Sequence, residues 1–216
     1  MRNIEKDERE MAERREMMLE AGFRIFAEKG IETVSMQEVA DECGLGIATV
    51  YRYFSNKLLF VIAIGARKWR EYFGEVERKY AARGIAGADA AEELAFYLDS
   101  YIALYRQHPD MLKFNQNFNG YILHEHPEPE QMSEYLVAAA LFVKKFHRLY
   151  EKGLLDGSIR TDDGETVMFN STMHIMLAVC CRFAQGVVVH TDDPEDLTME
   201  LQILKNMILD RYVIKH

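Results

Sequence analysis

The chain has 216 residues, with 26 Lys and Arg against 35 Asp and Glu, a formal net charge of −9, and 49% hydrophobic residues with four prolines. That length can bury a core in one large domain or in a small one fused to a larger one, and the composition excludes a disordered chain. The negative balance argues against a basic, nonspecific grip on nucleic acid, which needs clustered Lys and Arg.

The N-terminal run MRNIEKDEREMAERR alternates charges without an apolar core or cleavage site, so a secretory leader is not expected and the cytoplasm is the expected compartment. From about Arg9 to Lys29 the apolar positions Leu19, Gly22/Phe23, Phe26 and Gly30 recur at helical spacing, with Gly30 as the stop. Ser35 and Glu38 fit a capping box that starts a second helix, and Gly44 stops it. After Leu45, Gly46 serves as the N-cap of a short third helix, Ile47 to Phe54. Ser55 is expected to cap a fourth, running to about Tyr80. Two short helices joined by a tight glycine-bearing turn make a helix-turn-helix pattern.

Further along, Asp89 with Glu92 opens a helix through Tyr105, and Pro109 suits the first turn of the next, which carries Met111 to Ile122. A helix from about Glu130 to Lys152 is expected to end at Gly153. Asp162 or Asp163 is expected to cap an apolar helix through Gly186, and Asp193 with Pro194 to open the last one. The stretch Val167 to Val189 has the length of a membrane span, but Asn170, Ser171, His174, Arg182 and Gln185 interrupt it, so a buried helix is expected and no membrane association. No segment has a convincing strand period. The expected fold is all-α with about nine helices.

The residues Thr33 to Ala40 and Gly44, followed by Ala48-Thr49-Val50-Tyr51-Arg52-Tyr53-Phe54-Ser55-Asn56-Lys57, resemble the TetR family of bacterial regulators. The likeness is sharp over about Ala21 to Leu59. It implies a helix-turn-helix domain over residues 1–57, a connecting helix over 55–80, and a ligand-binding and dimerisation domain over 81–216. It also implies that double-stranded operator DNA is met by Ser35, Gly46, Ile47, Ala48, Thr49, Tyr51, Arg52, Tyr53 and Lys57. Thr49 and Tyr51 can give hydroxyl hydrogen bonds to phosphate, and Lys57 at a helix start suits a phosphate clamp. Half-buried packing is the alternative role for Tyr51 and Tyr53, and a solvated charge that for Arg52. Residues 1–57 hold nine Lys and Arg against twelve Asp and Glu, so any grip rests on a few placed contacts. Gly46 and Ile47 stand where the family commonly has Ser and a polar or basic residue, so direct base readout is expected to be thin.

In the larger domain, Tyr97, Tyr101 and Tyr105 share a spacing of four, as do Phe114 and Phe118, while Asn170 and His174 interrupt an apolar helix. With His147 these form the expected site for an apolar or aromatic small-molecule effector, although each histidine taken singly better suits a satisfied core position. Leu197, Leu201, Leu204 and Ile208 make an apolar stripe for a homodimer interface or, alternatively, for the domain's own core. The three cysteines, Cys43, Cys180 and Cys181, lack metal or disulfide spacing, and His108, His124 and His126 form no helical ligand pair, so neither metal nor cofactor is expected. The leading reading is a repressor released by its effector. An all-α enzyme and a helical protein-binding adaptor are the alternatives, but no nucleophile is paired with a base at recognisable spacing.

Overall fold

The structure is a computed structural model that describes residues 4–186 and 194–214. Its N-terminal helices are set by caps and by left-handed glycines. Helix α1 (Ile4–Lys29) ends at Gly30 and α2 (Met36–Glu42) ends before Gly44, at φ 88° and 63°. Helix α3 (Ile47–Tyr53) starts at Gly46 in extended conformation, as expected. Helix α4 (Lys57–Ala82) is capped by Asn56 rather than Ser55: the Asn56 side-chain oxygen accepts from the Leu59 N–H at 2.9 Å.

Then follow α5 (Ala90–Gln107), α6 (Pro109–Glu125), α7 (Ser133–Asp156), α8 (Glu165–Ala184) and α9 (Pro194–Tyr212). Among the described residues these nine helices and one isolated bridge, Ile159 to Val213, match the all-α expectation. The Asp89 side chain caps α5 by accepting from the Glu92 N–H at 2.8 Å, as expected. Helix α7 does not stop at Gly153 but continues through it, because glycine there makes room for Ile159, whose side chain would collide with any Cβ at that position. Gly164, not Asp162 or Asp163, precedes α8; both aspartates are instead engaged by Arg211. Within α8, residues Asn170–His174 form a π turn, and the Ser171 and Thr172 hydroxyls donate back to the carbonyls of Val167 and Met168 at 2.8 and 2.6 Å. Asp193 and Val187 to Val189 lie outside the described residues.

The chain divides into two compact units, Met1–Lys68 with Lys113–Ala138, and Trp69–Leu112 with Ala139–His216. The first unit therefore draws on more of the chain than residues 1–57. Its core joins Met18, Leu19 and Phe26 of α1, Val39 and Ala40 of α2, Val50 of α3, Phe60 and Ile64 of α4, and Phe114, Phe118 and Tyr121 of α6. Each buried side chain of this size is worth about 1.5–3 kcal/mol relative to exposure. In the second unit α5 packs on α8 and α9, which also pack on each other. Leu94, Leu98, Tyr101 and Leu104 of α5, Met176 and Cys180 of α8, and Leu201 and Ile208 of α9 are buried there.

Candidate DNA-reading surface and ligand cavity

In the first unit, the start of α2 is held by a complete capping box. The Ser35 hydroxyl accepts from the Glu38 N–H at 3.2 Å, while the Glu38 carboxylate accepts from the Ser35 N–H at 2.8 Å and from its hydroxyl at 2.9 Å. These hydrogen bonds from the Ser35 backbone and side chain hold the Glu38 carboxyl below the usual carboxylate range. Ser35 is exposed, but its hydroxyl proton is spent on Glu38. The Arg24 guanidinium donates to Glu42 at 3.1 Å and links α1 to the end of α2.

Helix α3 buries Val50 and leaves Ala48, Tyr51 and Arg52 exposed, with Gly46 exposed before it and Thr49 half-buried. Tyr51 is therefore not a packing aromatic; 44% of its surface is open. Ile47 and Tyr53 differ: both are half-buried against the core, and the Arg52 guanidinium lies over the Tyr53 ring at 5.9 Å. Of the residues expected to meet DNA, Ser35, Gly46, Ala48, Tyr51 and Arg52 are thus exposed, and Ile47, Thr49 and Tyr53 half-buried.

Lys57 departs further. Its ammonium donates to the Glu32 carbonyl at 3.3 Å and lies 5.9 and 5.6 Å from the ring centres of Phe26 and Tyr121. Burial pushes its pKa down, against the attraction of Glu125, Glu32 and Glu38. In this structure the charge is engaged inside the first unit instead of standing open at the helix start.

The expected effector residues are not gathered in one place. Phe114 and Phe118 belong to the core of the first unit, where Phe114 packs on Phe23 and Phe118 stacks on Tyr135 with ring centres 4.6 Å apart. His147 is exposed, its Nδ1 3.0 Å from Glu165 and its Nε2 3.4 Å from Glu151, and the hydrogen bond to Glu165 raises its pKa most. Asn170 and His174 are exposed on α8. In the second unit Tyr101 is buried edge-on to Phe142, and Tyr105 edge-on to Phe183. Cys180 is buried beneath the Tyr101 carbonyl, and burial pushes its thiol up to about 12, which makes it a packing residue.

Tyr97, from the expected set, lines a cavity. This cavity of about 420 Å³ in the second unit is walled by Phe73, Gly74 and Val76 of α4 and by Leu141 and Phe142 of α7, with Arg70, Glu77 and Lys145 as its charged residues. Phe73 stacks on Phe142 with ring centres 5.0 Å apart, and Trp69 stacks on Phe73 at 5.5 Å. Lys145 reaches Glu77 at 2.6 Å. Sequence reasoning missed the α4 and α7 residues. Their available signals were Phe73 with Glu77 and Leu141 with Lys145, each pair four apart on one helical face, and a glycine in the middle of a long helix.

The expected dimer stripe also reads differently. Leu197, Leu201 and Ile208 are buried in their own unit and Leu204 is half-buried, because this face of α9 packs on α5 and α8. The opposite face carries Met199, Ile203 and Met207 at a spacing of four, exposed by 58%, 55% and 63%. Helix α8, expected to be a buried helix, has a third of its most apolar stretch buried and leaves Val167 and Ile175 open.

A capped α2, a left-handed glycine turn and a short α3 with an open outer face are the geometry of a helix-turn-helix. Residues 18–64 match the family described as bacterial regulatory proteins, tetR family. Over 85 residues the chain is 38% identical to the HTH-type transcriptional repressor KstR of Mycobacterium tuberculosis, covering 39% of this chain and 36% of that protein. It spans less than half the length of the curated relatives it matches. Among solved structures, a transcriptional regulator from Saccharomonospora viridis in complex with choline superposes with a TM-score of 0.71 at 18% identity, covering 94% of this chain and 100% of that one. FadR from Bacillus subtilis in complex with stearoyl-CoA gives 0.66 at 15% identity, covering 89% and 96%. Residues 18–64 are thus similar to the tetR family of bacterial regulatory proteins, and the chain as a whole has the fold of these solved structures.

Proposed function

We propose that the chain is a homodimeric transcriptional repressor that binds double-stranded operator DNA in the cytoplasm and is released by an apolar or aromatic small molecule. The observation that carries this reading is the tetR-type segment, whose capped α2 and left-handed Gly44 turn leave Ala48, Thr49, Tyr51 and Arg52 on the outer side of α3. Tyr51 and Thr49 supply hydroxyl donors to phosphate oxygens, and Arg52 supplies a charge or, at a guanine, a bidentate donor. An acidic chain that holds DNA this way has a low nonspecific background. The relative KstR is named a repressor, and FadR and the Saccharomonospora regulator hold ligands in their solved structures, which supports release by a small molecule. The role is that of a binding protein and not of an enzyme.

Dimerisation is assigned to the outer faces of α8 and α9. Met199, Ile203, Met207, Val167 and Ile175 are large apolar side chains left open on two helices that already pack together. A twofold dimer covers such a face with its own copy and presents two reading helices about one DNA turn apart. The effector shifts the population to a form with the wrong spacing, and to move occupancy from 99:1 to 1:99 it must favour that form by about 5.5 kcal/mol.

Fluorescence anisotropy with a duplex from the promoter region of the protein's own gene tests the reading. Wild type is expected to bind, and Tyr51→Phe combined with Arg52→Ala to lose binding while keeping its melting temperature and dimer. Absence of wild-type binding at low salt, or full affinity in the double variant, would overturn it.

A further inference from the structure

Lys57 is the first residue of α4 and stands four positions past the end of α3, the helix that leaves Tyr51 and Arg52 exposed. Its charge is nevertheless taken up inside the first unit. The Glu32 carbonyl accepts from it at 3.3 Å and the Phe26 ring lies on one side, but the other groups that hold it come from α6. The Tyr121 ring centre is 5.6 Å from the ammonium, and the Glu125 carboxylate, one turn further along the same helix, is the largest attraction acting on it. Tyr121 is itself buried, so its ring is fixed in the core. A phosphate oxygen would be the stronger partner, since a hydrogen bond between two charged groups exceeds one to a neutral carbonyl.

The stretch of α6 just ahead of these groups is a poor helix former. Asn115, Asn117, Asn119 and Gly120 fall within six residues, and Asn and Gly both disfavour a helix interior. Gly120, directly before Tyr121, is not required by packing, because a Cβ there would meet nothing within 4 Å. A weak turn at this point lets the end of α6 loosen while Phe114 and Phe118 stay in the core.

We propose that Tyr121 and Glu125 are positioning residues that hold the Lys57 ammonium back from the DNA backbone, and that loosening of the end of α6 releases it as one additional phosphate contact. Lys57 is then a contact in reserve, and duplex affinity is set in part by residues outside the reading helices. The proposal rests on the reading of the chain as a DNA-binding regulator and adds a control of its affinity. Residues 1–57 hold nine Lys and Arg against twelve Asp and Glu, so one further charge at the backbone is a measurable gain.

Fluorescence anisotropy with the promoter duplex, repeated between about 50 and 200 mM KCl, tests it, because each phosphate contact adds about 0.9 to the slope of log affinity against log salt. Tyr121→Leu, which keeps an apolar side chain in the core, is expected to bind more tightly than wild type at the low end and to lose about threefold more affinity over that range. Glu125→Gln, at an exposed position that leaves the core intact, is expected to change in the same direction. Adding Lys57→Met is expected to erase both gains, which a change in core packing or in overall charge alone would not do. Circular dichroism checks that the variants are folded. An unchanged salt slope in either folded variant, or a gain that survives Lys57→Met, would overturn the proposal. Wild type that binds no duplex at low salt overturns the regulator reading with it, whereas a bound duplex and an unchanged slope leave that reading standing and remove only the hold on Lys57.

Discussion

The two units of this chain are built by different means. In the first, each turn is set within a few residues by an element with one chemical role: the Ser35 and Glu38 capping box, the left-handed Gly30 and Gly44, and the Asn56 cap of α4. In the second, the cavity is assembled from Phe73, Glu77 and Tyr97 on α4 and α5 and from Leu141, Phe142 and Lys145 on α7, residues separated by up to 72 positions. The lesson is that the ends of α2 and the turn into α3 are set by local caps, whereas a cavity exists only through packing.

Substitutions can break this contrast, and the largest effect is expected in the core of the first unit. Phe26 is wholly buried and packs edge-on to Phe60 at 5.9 Å. Phe26→Ala should cost about 3–5 kcal/mol in urea melts and take duplex binding with it. Next comes the outer face of α9. Ile203→Glu should raise the dimer dissociation constant about thirtyfold or more, read by analytical ultracentrifugation, since a charge on a covered apolar face costs about 2 kcal/mol or more. A dimer unaffected by this change would return the interface to another surface. Smaller still is Ser35→Ala, which removes the capping box and should lower stability by about 1 kcal/mol in the same melts.

The smallest effects separate the two units by pH. Glu38 has a folded pKa below its unfolded value near 4.5, so its contribution is complete above that value and is lost as pH falls through the folded one. His147 has a folded pKa above its unfolded value near 6.5, so its contribution is complete below that value and is lost as pH rises through the folded one. Glu38→Gln should therefore flatten the acid side of the melting profile, and His147→Gln the side above pH 6.5. An unchanged slope in either variant contradicts the hydrogen bonds assigned to it.

How much could be read in advance follows the same division. The nine helices of the described residues, the glycine stops at Gly30 and Gly44 and the side-chain caps at Ser35 and Asp89 were legible because each is decided by residues within four positions, whereas Gly153 is crossed by α7. Of the residues expected to meet DNA, Ala48, Tyr51 and Arg52 are exposed as helical spacing suggests, while the packing of Ile47 and Tyr53 on the core and of Lys57 on the rings of Phe26 and Tyr121 is invisible in a short motif. The α9 stripe was correctly seen as apolar, but periodicity does not say which of two apolar faces a helix keeps for itself. Leu201 turned inward and Ile203 outward. Phe114 and Phe118 looked like ligand contacts by spacing alone, and serve the first unit's core instead.

The central claim, a twofold regulator that reads DNA through α3, is tested most directly by selecting bound duplexes from a random-sequence library with the purified full chain. The account predicts enrichment of an inverted repeat whose half-site centres lie about one helical turn, or a multiple of it, apart. It also predicts loss of that enrichment in the Tyr51→Phe, Arg52→Ala variant. Recovery of no motif, or the same motif from the variant, would contradict it.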